Sequence, residues 1–156
     1  MSLKFNDPEA VEHISKAIDV PFIWSHHQCV ARVDSEGKIV GGIFFTDYNK
    51  ASIQMHVAGF RPRWLDRELL WIAFDYPFNV LSVCKVISTI PCANKSSVAF
   101  CLKLGFTIEA TIQDVFLNGG LHVASLYRNK CRFLKMPRPA SITFESSYGK
   151  AVAHPR

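Results

Sequence analysis

The spacing of apolar residues changes period several times along the 156-residue chain, and each change marks a new element. Residues 8–18 carry alanine, valine and isoleucine at intervals of three and four, which predicts an amphipathic helix. Residues 29–33, 39–46 and 51–57 instead predict strands, because they are apolar runs separated by polar turns. The first part of the chain is therefore expected to form a helix followed by three consecutive antiparallel strands.

The second half of the chain alternates between helical and strand periods. The predicted elements are two helices, at 65–76 and 94–104, and three strands, at 83–90, 106–116 and 122–127. Pro77 is expected to end the first of these helices and Gly105 the second. The sequence Asn118-Gly119-Gly120 predicts a tight hairpin between the last two strands.

This order of elements predicts the fold class and the domain organisation. Antiparallel strands interrupted by crossover helices indicate an α/β (α+β) domain, with a mixed, mostly antiparallel sheet and helices on both faces. We expect a single domain over residues 1–135 and an extended tail over residues 136–156, which contains prolines and serines. Residues 22–24 are expected to add a short helical or irregular piece.

Composition narrows the class of protein. With 49% hydrophobic and 20% charged residues, the chain can bury a core, which excludes a disordered protein. Its longest apolar run, residues 69–74, is much shorter than the roughly 18 residues of a membrane span, so no membrane association is expected. The five cysteines form no C-x-x-C pair, which favours reduced thiols, a cytoplasmic location and no metal site.

Basic residues are concentrated in the second half of the chain. Residues 1–60 hold 5 basic and 7 acidic side chains, whereas residues 61–156 hold 13 basic and 6 acidic ones. Such a surface suits a phosphorylated ligand or a nucleic acid, or is simply a solvated basic face. Nucleic-acid binding is not expected, because no known nucleic-acid-binding motif accompanies the basic cluster of Arg128, Lys130, Arg132, Lys135 and Arg138.

The most specific motif begins at Asn94 and ends at Phe106. Its residues Asn94, Ser97 and Lys103-Leu104-Gly105-Phe106 resemble the signature N-x-x-S/A-x(5)-K-L-G-F of the GNAT superfamily of N-acetyltransferases. The order of elements from about residue 5 to residue 130 is similar to that family as well. Residues 63–79 resemble short GNAT proteins encoded by bacteriophages, which would place the protein in the host-cell cytoplasm.

Asn94, Ser97 and Cys101 have the spacing i, i+3 and i+7, so they share one stripe of the predicted helix. On the residues alone, Asn94 is equally an N-cap, Ser97 a polar first-turn residue and Cys101 a small core residue. The GNAT resemblance implies that this stripe borders the pantetheine arm and thioester of acetyl-CoA.

The resemblance also implies a pyrophosphate-binding loop, Q/R-x-x-G-x-G/A, after the strand at 51–57. The corresponding segment here contains Arg61, Arg63, Trp64, Leu65 and Asp66, with Trp64 and Asp66 where glycines are expected. Arginines can bind phosphate through charge-assisted hydrogen bonds, whereas Asp66 would repel phosphate or cap the following helix. The residues implied to bind the cofactor are Met55, Val57, Arg61, Arg63, Trp64, Leu65, Asn94 and Ser97.

Two residues are candidates for proton transfer. His56 lies in the strand where the family often has a general base, and an imidazole with a pKa near 6.5 is suited to accept an amine proton. Cys101 occupies the position of the family's acidic tyrosine, and a thiol with a pKa near 8.5 matches a departing thiolate. The alternatives are a half-exposed strand histidine and an inert buried cysteine.

The function implied by the resemblance is transfer of an acetyl group from acetyl-CoA to an amine by direct attack in a ternary complex. The acceptor, a small molecule or a protein, is not identified by the sequence, and a homodimer is left open. The alternative is a catalytically weak or inactive GNAT-fold phage protein that acts as an interaction module, since the loop glycines and the tyrosine are missing.

Overall fold

Seven strands form one sheet in the computed structural model, which describes residues 1–18 and 27–142. The strands are β1 (Ser2–Phe5), β2 (Gln28–Val33), β3 (Ile39–Thr46), β4 (Ser52–Gly59), β5 (Lys85–Pro91), β6 (Thr107–Phe116) and β7 (Gly119–Tyr127). Their order across the sheet is β1-β2-β3-β4-β5-β7-β6, and only the neighbours β4 and β5 are parallel. The piece predicted at 22–24 and the end of the predicted tail, residues 143–156, lie outside the described residues.

In the described part of the chain, three α-helices connect the strands, and each begins at a side-chain cap. The helices are α1 (Pro8–Ile18), α2 (Arg67–Asp75) and α3 (Lys95–Lys103). Their first-turn amides donate to the carboxylates of Asp7 and Asp66 and to the amide oxygen of Asn94 at 3.0–3.1 Å. Gly105 follows α3 with φ +101°, a left-handed conformation that suits glycine, so its predicted role as a helix stop is confirmed.

The helices cover both faces of the sheet. On one face, Ala10 and Ile14 of α1 pack against a small cluster that contains Phe44 of β3. On the other face, α2 and α3 share a larger core with the neighbouring residues Ile43 and Phe45 of the same strand. This alternation follows from the two-residue period of a strand. The predicted fold class, a mixed and mostly antiparallel sheet with helices on both faces, is confirmed. Within the described residues, none of the helices is long and apolar enough to cross a membrane.

The predicted elements were incomplete at the N-terminus. Residues Ser2–Phe5 form an edge strand that pairs antiparallel with β2, whereas the first predicted element was the helix at 8–18. A strand of four residues is too short to establish an alternating pattern, so no periodic signal identified it.

Pro77 does not end the helical path as predicted. Helix α2 runs over Arg67–Asp75, and residues Tyr76–Val80 continue it as a wider π turn that contains Pro77 near its start. The amide of Leu81 donates to the carbonyl of Tyr76 at 3.0 Å, a bond between residues five apart. A proline near the start of a turn needs no amide donor there, so the turn accommodates it.

The first residues of the predicted tail contact the rest of the domain. Two short 3₁₀ turns, Arg128–Lys130 and Arg132–Lys135, follow β7, and Ile142 is buried in the larger core. The Ser141 hydroxyl donates a hydrogen bond to Glu68 of α2. The boundary predicted at residue 135 stays a prediction.

A buried arginine holds the start of α2 on the sheet. Arg32 of β2 has a side chain only 1% exposed, and it forms ion pairs with Asp66 and, at 3.0 Å, with Glu68. Burial of a guanidinium is costly unless its charge is compensated, so the two carboxylates and the arginine depend on each other. The interpretation of Asp66 as a helix cap is confirmed.

We predict that Arg32→Met destabilises the protein by about 3 kcal/mol at pH 7, because breaking a buried ion pair leaves its partners uncompensated. A hydrogen bond from Ser141, and the ion pair with Arg32, lower the pKa of Glu68. The contribution of that carboxylate is therefore present above about pH 4.5 and is lost as the pH falls further. Urea unfolding at pH 7 and pH 3 measures both effects.

The matched control is Arg61→Met, because Arg61 also pairs with an aspartate, Asp34, but its side chain is 51% exposed. An exposed pair contributes at most about 1 kcal/mol. Equal losses for the two variants at pH 7 would contradict the role assigned to Arg32.

Candidate functional site

A cavity of about 130 Å³ lies where β4 and β5 separate. The two strands pair only over three residues each, with Gln54 opposite Ile87 as the last pair. Just beyond that pair, the Ser88 hydroxyl donates to the Met55 carbonyl at 2.8 Å. A side-chain hydrogen bond thus replaces the next step of the backbone ladder, and the cavity begins there.

Six of the ten site residues predicted from sequence line this cavity. They are Met55, His56, Val57, Asn94, Ser97 and Cys101. The prediction that Asn94, Ser97 and Cys101 share one stripe of α3 is confirmed, since all three face the same cavity. Their roles in binding and catalysis stay predictions.

The cavity reaches both faces of the sheet. His56 is the cross-strand partner of Phe44, so its side chain is on the face that α1 covers. Ala17 and Ile18 of α1 line the cavity on that side, and Cys101 of α3 lines it from the other. Two ligands approaching from opposite faces would therefore meet between the strands.

The free edge of β4 presents backbone groups to the cavity. The Met55 carbonyl points towards β5, since it accepts the bond from Ser88. Alternate residues of a strand point their backbone groups to the same side, so the amides of Val57 and Gly59 also face the gap. On its other side, β4 pairs with β3 in one continuous register from Thr46 to Gly41.

The start of α3 is organised by Asn94. Its side-chain oxygen accepts hydrogen bonds from the Ser97 amide at 3.1 Å and from the Ser96 hydroxyl at 3.0 Å. The N-cap interpretation of Asn94 is therefore confirmed. Because Asn94 is also part of the cavity lining, the cap and the cavity share one residue.

Cys101 is a buried thiol, 6% exposed. Burial raises its pKa to about 12, because a thiolate is poorly solvated there. The group is protonated at neutral pH, as a proton donor must be, but it is a weaker acid than an ordinary thiol with a pKa near 8.5. Both the catalytic and the inert interpretations of Cys101 are compatible with this environment.

His56 is buried rather than half-exposed, with 7% of its surface accessible. Its Nε2 lies 3.2 Å from the hydroxyl of Thr46, which in turn donates to Asp47 at 2.8 Å. Burial lowers the pKa of His56, and the charge of Asp47 opposes that shift. The imidazole is therefore neutral at pH 7, as a general base must be.

The four residues predicted for the pyrophosphate loop do not line the cavity. Arg61 forms an ion pair with Asp34, which lies in the turn between β2 and β3. The distance from Arg61 Nη1 to Asp34 Oδ2 is 2.7 Å. Arg63 is exposed and has φ +63°. Trp64 and Leu65 pack against the larger core. Helix α2 begins with Asp66 and Glu68 near its N-terminus, two carboxylates that oppose phosphate there.

Trp64 fills the space beside the end of β4. Its indole ring lies on the paired glycines Gly41 and Gly59, and its ring centroid is 6.1 Å from that of Phe100 on α3. A Cβ atom added to Gly59 would lie 2.1 Å from the indole nitrogen, so only glycine leaves room for the ring. Phe100 lines the cavity, and Trp64 contacts Phe100 without lining the cavity itself.

Ser88, Thr46 and Asp47 were not among the site residues predicted from the sequence. Ser88 stands between Val86 and Ile90 on the buried face of β5, and a polar residue in that position usually has a hydrogen-bond partner. That signal was available. The link from Thr46 to His56 depends on pairing between two strands and had no signal in the sequence.

Known structures show a clear likeness to this fold. No family model matches the chain, and no curated protein matches its sequence. Spermidine N-acetyltransferase from Vibrio cholerae in complex with CoA and spermine has a TM-score of 0.68 and 14% sequence identity, over 85% of this chain and 97% of that one. A dodecameric structure of the Vibrio cholerae enzyme has a TM-score of 0.66 and 14% identity, over 83% of this chain and 94% of that one.

The fold is that of the GNAT acetyltransferases. At 14% identity, this likeness concerns the architecture only. It agrees with the resemblance of the motif that begins at Asn94, which was found independently from the sequence. Among the described residues, no group of three or more His, Cys, Asp or Glu side chains could hold a metal ion.

We predict that Gly59→Ala destabilises the protein by about 1–3 kcal/mol, because the added methyl group would overlap the Trp64 ring. In a Trp64→Ala background, the same substitution should cost at least about 0.5 kcal/mol less. Urea unfolding of the four proteins of this cycle measures the difference. A cost of Gly59→Ala that is equal in both backgrounds would show that the ring does not lie on Gly59.

Proposed function

We propose that this protein is an N-acetyltransferase that transfers an acetyl group from acetyl-CoA to an amine by direct attack in a ternary complex. The observation that carries the proposal is the cavity between the separated strands β4 and β5, which brings His56 and Cys101 together from opposite faces of the sheet. Such a cavity lets two substrates meet while each approaches from its own side.

The inner end of this cavity fits a thioester arm. It combines apolar walls with the free backbone edge of β4, and the amides of Val57 and Gly59 are donors for amide and carbonyl oxygens. Asn94 and Ser97 border the same space on α3. Bound acetyl-CoA would supply an activated acetyl group, and the residues named here would orient it.

The part of the cavity towards Phe100 and Trp64 fits the rest of the cofactor less well. A cavity of about 130 Å³ is smaller than the roughly 300 Å³ of typical ligand pockets. We infer that the arm passes Trp64 and Leu65, and that the Trp64 ring moves aside when the cofactor binds. The phosphates would then lie near Arg61 and Arg63, with Arg61 exchanging its ion pair with Asp34 for a phosphate.

Proton transfer is assigned to His56 and Cys101. His56 would accept the proton that the attacking amine loses, because it is neutral and lines the cavity. Cys101 would protonate the departing sulfur, with solvent as its competitor, since burial makes this thiol a weak acid.

The acceptor class is a primary or secondary amine, a small molecule or a protein. The structural neighbours are spermidine acetyltransferases, one of them bound to spermine. We do not extend polyamine specificity to this chain, because its formal net charge of +5 repels polycations and attracts the phosphates of CoA. Nucleic acid is not proposed as a partner.

The alternative is an interaction module without significant catalysis. It is favoured by the two carboxylates at the start of α2 and by Trp64 in place of a loop glycine.

We further propose a cytoplasmic location, in the host cell if a bacteriophage encodes the protein. The homodimer also stays a prediction, which sedimentation equilibrium measures directly.

Isothermal titration calorimetry tests the proposal. We expect acetyl-CoA to bind, and we expect Arg61→Ala with Arg63→Ala to weaken CoA at least about tenfold while leaving pantetheine, which has no phosphates, within about twofold. Release of free CoA thiol in the presence of a panel of amines, spermidine included, then measures turnover.

The matched control for this charge removal is Lys130→Ala with Lys135→Ala, which removes two exposed positive charges elsewhere on the surface. Equal losses in the two double variants would indicate a general effect of net charge. Failure of the wild-type protein to bind acetyl-CoA would support the interaction module instead.

We predict that Cys101→Ala lowers kcat at least about tenfold with little change in acetyl-CoA affinity, because a general acid typically contributes roughly 10²–10⁴-fold. Cys101→Ser should not restore the rate, since a hydroxyl is a much weaker acid than a thiol. Steady-state kinetics on both variants, with urea unfolding as a check of stability, separates the interpretations. Full turnover by a stable Cys101→Ala protein would remove this residue from the mechanism.

A further inference from the structure

We propose that Asp47 and Thr46 are positioning residues for His56. They hold the imidazole with its proton on Nε2. When Nδ1 takes up a second proton, they compensate the positive charge through a chain of hydrogen bonds that ends at the surface. The proposal rests on the proposed function, because it concerns the base of that same reaction. It assigns roles to two residues outside the family signature.

The three side chains form one chain of hydrogen bonds from the cavity to solvent. His56 lines the cavity and is 7% exposed, and Thr46 at the end of β3 is 3% exposed. The Thr46 hydroxyl lies 3.2 Å from Nε2 of His56 and donates to Oδ2 of Asp47 at 2.8 Å. Asp47 is exposed and leaves the strand with φ +53°, a conformation that aspartate tolerates.

The direction of these bonds follows from the number of hydrogens. A hydroxyl has one proton, and an ionised carboxylate can only accept, so the Thr46 proton belongs to the bond with Asp47. The Thr46 oxygen must then accept from Nε2–H of His56. In neutral His56 the remaining lone pair is therefore on Nδ1, the nitrogen that can accept a proton.

Asp47 is the charged group that acts on His56 among the residues that the structure describes. Of the other described residues that line the cavity, none is charged, and Cys101 is the only other titratable one. From the segment before β2, His27 stacks on Phe44, the cross-strand partner of His56. Burial lowers the pKa of His56 and Asp47 raises it, so this carboxylate keeps a buried imidazole basic enough to act.

The proton balance of the reaction is closed. As the amine nitrogen forms its bond to the acetyl carbon, the carbon–sulfur bond breaks and the nitrogen loses one proton. The sulfur gains one proton, from Cys101 or from solvent, and a Cys101 thiolate formed in this way is protonated again by solvent. His56 takes up the proton at Nδ1, and the resulting positive charge is compensated through Thr46 by Asp47. The proton leaves Nδ1 for solvent after the products dissociate, which restores neutral His56 with its proton on Nε2.

Nitrogen-15 NMR of the imidazole in the complete protein without ligand tests the arrangement independently of activity. We expect the Nε2–H tautomer for neutral His56. We expect Asp47→Asn to lower the pKa of His56, since it removes the opposing charge. Glu36→Gln is the matched control, because Glu36 is another exposed carboxylate near the sheet and should leave that pKa unchanged.

Kinetics test the catalytic consequence. In Asp47→Asn, the acid limb of kcat/KM should move to lower pH by the same amount, because it follows the pKa of the base. Thr46→Val, which keeps the volume but removes the hydroxyl, should lower kcat at least about tenfold, and Thr46→Ser should restore most of it.

Two results would overturn the proposal while the proposed function stands: an Nδ1–H tautomer in wild type, or turnover whose acid limb is the same in wild type and Asp47→Asn. The Asp47 variant keeps this test valid even if Thr46→Val does not fold, because Asp47 is on the surface. Failure of the proposed function gives a different result, which is no turnover by the wild-type protein with any amine. In that case Asp47 has no role in catalysis, even if the NMR result is as expected.

Discussion

The hydrogen bond from Ser88 to the Met55 carbonyl lies at the point on which the whole site depends. Up to that point β4 and β5 form a parallel ladder, and beyond it each strand follows its antiparallel neighbour, β3 or β7. A sheet that separates between two parallel strands exposes backbone groups that would otherwise be paired, and buried backbone groups require partners. The cavity is therefore a place where the fold leaves hydrogen-bonding capacity for a ligand.

The two faces of the separated sheet have different chemistry. On the α1 face, His56 is connected through Thr46 to a surface carboxylate, which suits a group that exchanges protons. On the α3 face, Asn94 and Cys101 offer a cap and a buried thiol. Trp64 and the ion-paired start of α2 differ from a glycine-rich phosphate loop.

The architecture was largely predictable, because long periodic segments such as 8–18 and 39–46 carry their own signal, and the cap at Asn94 and the stop at Gly105 are local. The grouping of Asn94, Ser97 and Cys101 was also predictable from helical spacing. The edge strand Ser2–Phe5 and the π turn after α2 were not, since one is too short for periodicity and the other violates the usual effect of proline. Two further contacts arise from strand pairing, which no local pattern encodes. They are the contact between Thr46 and His56 and the packing of the Trp64 ring on Gly41 and Gly59, which are distant in sequence.

The most direct test of the central claim, that the separated strands bind the cofactor, is a titration of the nitrogen-15-labelled protein with CoA followed through backbone amide resonances. The account predicts the largest shifts at the amides of Val57 and Gly59 and at the start of α3, with the hairpin tip at 116–119 unaffected. Saturation with CoA that leaves Val57 and Gly59 unperturbed, while other parts of the sheet respond, would contradict it.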